Sequence, residues 1–149
     1  MPAPGPDDPT PPGTPVPGPG VPAFGPAVPA FGPAAAAEAL VRRHLDAVNR
    51  RDLAALLDGL APDAVWVTGT TVVRGRAHLE PFFAAAFDGL LPRLRLRSLV
   101  AGPDLVACEL TETATVDGAD RHYPIAGFYA VHAGHLTRVT IYREGTAEV

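Results

Sequence analysis

Between Ala37 and Val48 the apolar positions Ala37, Leu40, Val41, Leu45 and Val48 recur three and four residues apart, and His44 sits in the same stripe. Glu38, Arg42, Arg43, Asp46 and Arg50 stay off it. That period predicts an amphipathic helix from about Ala34 to Arg50. Asp52 is placed to cap a second short helix carrying Leu53, Leu56, Leu57 and Leu60, with Pro62 as its stop. Ala64 to Thr68 and Thr71 to Val73 read as strands around a Gly69-Thr70 turn. Gly75 opens a third helix with Leu79, Phe82, Phe83, Phe87 and Leu90 as its apolar residues. Pro81 either kinks that helix or marks its start, and Gly89 and Pro92 end it.

From Arg93 the period changes to two. Leu94, Leu96 and Ser98 alternate with Arg93, Arg95 and Arg97. Leu105 to Val116, Tyr123 to His132 and Leu136 to Arg143 read as three long strands, turned at Asp117-Gly118 and at Ala133-Gly134. Most of the strands follow the helices, which predicts an α+β fold with helices on one face of a curved sheet.

Two polar residues interrupt apolar surfaces. On the strand from Leu105, one face carries Val106, Cys108, Leu110, Glu112, Ala114 and Val116, and Glu112 is its only charge. A carboxylate there must be paired, protonated or in a wet cavity. It is either a general acid or base, a structural ion pair, or a residue near the sheet rim that reaches water. His44 is either a core histidine bonded to the backbone or a pocket residue that exchanges a proton. A helix crossing the sheet would bring both into one interior. Trp66 and Thr68 share a face of the first strand, where the Trp is pocket wall or core. His78, His122, His132 and His135 read as exposed, and Cys108 as a small core residue.

Composition narrows the chemistry. The 149 residues contain 12 Lys and Arg together, and every one is Arg. Schiff-base catalysis and Walker-type phosphate binding are thereby excluded. The single serine, Ser98, has no G-x-S-x-G around it, and the single cysteine allows no internal disulfide. No histidine pair has zinc-ligand spacing, so neither metal nor cofactor is expected. A net charge of -4 without a basic cluster argues against nucleic acid. No long uncharged apolar run suggests a membrane span. Residues 1–33 hold 13 of the 18 prolines and repeat VPAFGPA from Val21 and from Val28. They read as a proline-rich disordered tail, either merely solvated or a docking ligand through Phe24 and Phe31, ahead of one domain over 34–149. With no apolar signal segment in that tail, the cytoplasm is the expected location.

The stretches LVRRHLDAVNRRDLAALLDGLAPDAVWV, VVRGRAHLEPFF and PIAGFYAVHAGHLTRVTIYRE resemble the SnoaL-like (polyketide cyclase and ketosteroid isomerase) branch of the nuclear transport factor 2-like superfamily. The resemblance implies a cone-shaped barrel, in which three helices close a strongly curved, mostly antiparallel sheet over an apolar pocket. It also implies a homodimer through the outer sheet face, here Thr111, Thr113, Thr115, Tyr129, Thr140 and Tyr142. It places His44 and Glu112 in the pocket with Trp66, Thr68, Phe83, Leu110, Phe128, Val139 and Ile141. The steroid isomerase base corresponds to Thr68, its oxyanion-hole tyrosine to His44 and its oxyanion-hole aspartate to Ala126. Of the epoxide hydrolase set, Glu112 matches one acid, Leu110 stands at the arginine and Ile141 at the other acid. The function implied is a cofactor-independent acid–base enzyme (cyclase, isomerase, dehydratase or epoxide-opening) acting on a small hydrophobic metabolite, with Glu112 and His44 catalytic. The alternative is a non-catalytic binding or assembly protein on the same scaffold.

Overall fold

The computed structural model describes Met1 and residues 32–89 and 92–143. Residues 2–31 of the proline-rich tail, with Phe24 and Phe31, and Leu90 lie outside the described residues.

Helix α1 (Pro33–Arg50) buries the predicted stripe, Ala37, Leu40, Val41, His44, Leu45 and Val48, together with Ala47. It stops at Arg51, which turns left-handed at φ 59° while the N–H of Asp52 bonds back to the carbonyl of Ala47. Asp52 then caps α2 (Leu53–Asp58) by accepting from the N–H of Ala55 at 3.0 Å. Strand β1 (Leu60–Thr68) begins four residues earlier than its pattern suggests. Pro62 lies inside it rather than ending a helix. It falls in an irregular stretch between Leu60 and Val65, before β2 (Thr71–Arg74) pairs with the strand, so its missing N–H breaks no regular ladder. Helix α3 (Arg76–Asp88) starts after Gly75 and runs through Pro81.

Strands β3 (Arg93–Ala101), β4 (Leu105–Val116), β5 (Ala119–His132) and β6 (His135–Arg143) form antiparallel neighbours in chain order. The β4–β5 hairpin extends to Val116 opposite Ala119, because Asp117 and Gly118 both adopt positive φ, 53° and 77°. A two-residue turn of that hand matches the strand twist.

The sheet order is β2-β1-β6-β5-β4-β3, and β1 runs parallel to β6. This corrects the expected architecture. The sheet is open and mixed, with β2 and β3 as free edges, and three helices pack on it; it is not a strongly curved sheet closed into a cone-shaped barrel. Closure would need the first and last strands to hydrogen-bond each other. Here β2 has only four residues, and at the β3 edge a side chain takes the place of a strand. The Asn49 amide of α1 donates to the carbonyl of Leu94 and accepts from its N–H, both at 2.8 Å.

The core lies between the helices and the inner sheet face. Val106, Leu110, Leu136 and Val139 are buried there, as is Tyr129. Cys108 is buried among them as a free thiol, and burial pushes it up to about 11, as suits a small core residue.

Candidate functional site

Among the described residues two polar side chains are buried, His44 and Glu112, each 4% exposed. Both line one cavity of about 120 Å³ between the helices and the inner sheet face. Val48 of α1 and Phe82, Phe83 and Ala86 of α3 form its helical wall. Trp66, Thr68, Ile125, Tyr129 and Ile141 form the sheet side, with Pro92 and Leu94 at the β3 end. A wider depression of about 780 Å³ runs along the start of α1 beside two strand turns, but neither buried polar side chain reaches it.

Glu112 does not face the cavity as a lone acid. Arg143 donates to both of its oxygens, from Nε at 3.0 Å and from Nη2 at 2.7 Å. The third guanidinium nitrogen, Nη1, donates to the hydroxyl of Thr68 at 2.7 Å. The Glu112 side chain is 6% exposed and the Arg143 side chain 49%, so the pair stands at the mouth, with its acid inside. Register explains the reach. Arg143 lies opposite Ile125, Ile125 lies opposite Leu110, and Glu112 is one inward-facing step further along β4. Thr68 of β1 lies beside Ile141, one step before Arg143. A long, planar cation on β6 can therefore grip both neighbours.

His44 makes no such bond. Its Nδ1 is buried without a hydrogen-bond partner, and no hydrogen bond joins it to Glu112 among the described residues. The ring lies 5.8 Å from that of Trp66 and 5.7 Å from that of Tyr129, centroid to centroid. Burial pushes its imidazole down to about 4, so it is neutral at pH 7. An unpaired buried acceptor is better tolerated than an unpaired buried N–H. Packing therefore favours the tautomer with its proton on Nε2.

A stability consequence follows from linkage. Above pH ~6.5 His44 is neutral folded and unfolded, and nothing is lost. As pH falls from ~6.5 to ~4 the unfolded chain takes up a proton that the buried ring refuses. Stability should therefore drop by about 3 kcal/mol across that window. Urea unfolding of the wild type and of His44→Leu at pH 7 and pH 4.5 checks this. The variant should lose less stability on acidification, and parallel losses would refute the assignment.

Of the expected pocket residues, the structure brings together His44, Trp66, Thr68, Phe83, Glu112 and Ile141. Three belong elsewhere. Leu110 and Val139 share the inner face but are sealed in the core, 0% and 1% exposed. Phe128 points out of the opposite face, 40% exposed, edge-on to Tyr142 at 5.7 Å. Tyr129, expected on the outer face, is the inward aromatic. Strand alternation puts Ile125, Gly127 and Tyr129 on one side and Ala126 and Phe128 on the other. Ala126 accordingly lies off the pocket. The decisive neighbour is Gly127, where a Cβ would come within 2.7 Å of the Tyr129 ring. Sequence reasoning missed Arg143 and Tyr129. The signal for Arg143 was its shared parity with Val139 and Ile141.

No group of three or more His, Cys, Asp or Glu side chains that could hold a metal occurs among the described residues. No helix among them is long and apolar enough to cross a membrane.

The fold agrees with comparisons to known proteins. A candidate polyketide cyclase from Xanthomonas campestris pv. campestris is 28% identical, with TM-score 0.64 over 75% of this chain and 93% of that one. A second candidate polyketide cyclase, from Pseudomonas putida KT2440, is 25% identical, with TM-score 0.62 over 73% and 91%. An LEH-like epoxide hydrolase of M. tuberculosis shares the fold at 18% identity, with TM-score 0.68 over 74% and 84%. Curated proteins gave no match in sequence. The family model of the SnoaL-like domain matches residues 41–139, about two thirds of the chain, and it shows that the chain belongs to the SnoaL-like family.

Proposed function

We propose that the cavity binds a small hydrophobic molecule and carries out cofactor-independent acid–base chemistry on it. Glu112 takes or returns the proton, and the neutral His44 donates to the oxygen where charge develops. The observation that carries this reading is that the two buried polar side chains line the same apolar cavity. A neutral imidazole can polarise a carbonyl without bringing a full charge into the site. Arg143 fixes the orientation of the carboxylate but uses only two of its roughly four acceptor positions, leaving others for a substrate proton. The guanidinium that the epoxide hydrolase pattern would place at Leu110 is supplied here by Arg143. Cyclisation, isomerisation, dehydration and epoxide opening all draw on these two groups.

The test is single-turnover mass analysis of the bound ligand. A chemically changed molecule recovered from the wild type and an unchanged one from Glu112→Gln support catalysis. An unchanged ligand from both overturns it in favour of the binding-protein alternative. That alternative has its own supporting observation, the bidentate grip of Arg143 on Glu112.

The outer sheet face supports an association surface. Phe128 and Tyr142 stand exposed at its centre, and Val100 and Leu105 toward one edge. We propose that a second copy packs there, with Phe128 in the place expected for Tyr129. Light scattering should give a dimer mass for the wild type and a monomer mass for Tyr142→Glu. A monomeric wild type would refute it.

A further inference from the structure

The pocket's size and charge narrow its ligand, an inference that rests on the proposed reading of the site. The cavity of about 120 Å³ is below the roughly 300–1,000 Å³ of ordinary ligand pockets. It is near the roughly 150 Å³ that accommodates a benzene ring in an apolar core. Its aromatic wall is stepped edge to face: Trp66 meets Phe83 at 4.9 Å and 85°, and Phe82 meets Phe83 at 5.3 Å and 73°. One flat ring fits against such a wall.

Charge is the second restriction. The Glu112 carboxylate at the wall is matched by one guanidinium, whose three nitrogens each donate once, two to Glu112 and one to Thr68, so the pair carries no net charge. An anion entering the cavity finds no unspent cation. A cation finds a carboxylate already neutralised. Either would lose its hydration without a partner, at a cost that excludes it. His44 offers a polar contact on a ring whose Nδ1 is closed off, and Tyr129 and the free acceptor positions of Glu112 line the same cavity.

We propose that the pocket selects a neutral, single-ring molecule whose one hydrogen-bonding substituent meets His44, and that Arg143 sets this selectivity by cancelling the charge of Glu112. Removing the guanidinium converts the site to one that favours a cation. Removing the carboxylate charge leaves Arg143 unmatched, and the site then favours an anion.

Phenol, benzoate, benzylammonium and 2-naphthol, titrated calorimetrically into the full chain, test both restrictions. The ¹⁵N ring resonances of His44 report binding at the site. Phenol should bind the wild type and move those resonances, with the other three at least about tenfold weaker. Arg143→Gln should bring benzylammonium above phenol, and Glu112→Gln should bring benzoate above it. If one variant fails to fold, the other decides the charge rule. Absence of a phenol-dependent shift at His44, equal binding of a charged probe to the wild type, or an unchanged ranking in the variants overturns the proposal. Equal binding of 2-naphthol overturns the single-ring limit. None of these readouts needs turnover. Probes sorted as expected by a protein without catalysis would sink the enzyme reading alone, and turnover of a two-ring substrate would sink this one alone.

Discussion

Glu112→Gln should lower turnover by about 10²–10⁴-fold, the usual contribution of a positioned acid or base, while the protein stays folded. Gln has the same shape and keeps one carbonyl oxygen for Arg143. The other contact is lost, because the amide NH₂ faces a second donor. The stability cost stays near ~1 kcal/mol, because the remaining partner is half in water rather than buried: the Arg143 side chain is 49% exposed. Large kinetic damage with small thermodynamic damage is therefore the expected signature. It is measured by pairing steady-state kinetics with urea unfolding on the same preparations. Turnover equal to the wild type would remove Glu112 from the mechanism and leave it as half of a structural ion pair.

Leu110→Ala should show the opposite signature, a loss of about 2–5 kcal/mol in unfolding free energy. Leu110 is fully buried, with Leu96 across one strand boundary and Ile125 across the other. Truncation leaves a void that packed neighbours on both sides cannot fill. The melting temperature should fall on the order of 10 °C. Were Leu110 a pocket wall, as the family pattern implies, solvent or ligand would fill the gap. Stability would then change little, while ligand affinity shifted. A loss below ~1 kcal/mol in urea unfolding would return it to the pocket.

These two residues sit two positions apart on one strand face, and the sequence treats them differently. Glu112 announces itself because a charge among Val106, Cys108 and Leu110 has to be accounted for. His44 announces itself in the same way within the α1 stripe. Leu110 carries no such mark, since a leucine suits a sealed core and a pocket wall equally. Phe128 and Tyr129 were harder still. Both are large and apolar enough for either face; the register of β5 turns the tyrosine inward, and the space over Gly127 accommodates its ring. The partner of Glu112 lies 31 residues away, on a strand that is not its neighbour. Parity puts Arg143 on the correct face, but nothing local states that β5 intervenes between β4 and β6, nor in which register.

The sequence by itself therefore determined most of the local elements, the start of β1 around Pro62 excepted, because helical and strand periods, caps and turn residues act within a few positions of themselves. It also determined which two polar groups had to be explained, because burial cost depends on residue type and on the apolar face that carries it. The tertiary structure alone decided three things: that the sheet stays open, with Asn49 occupying an edge; that the carboxylate is gripped by Arg143 rather than free; and that the cavity has room for little more than one ring. Each depends on strand order, register and side-chain volume summed over distant segments, quantities that exist only once the chain has packed.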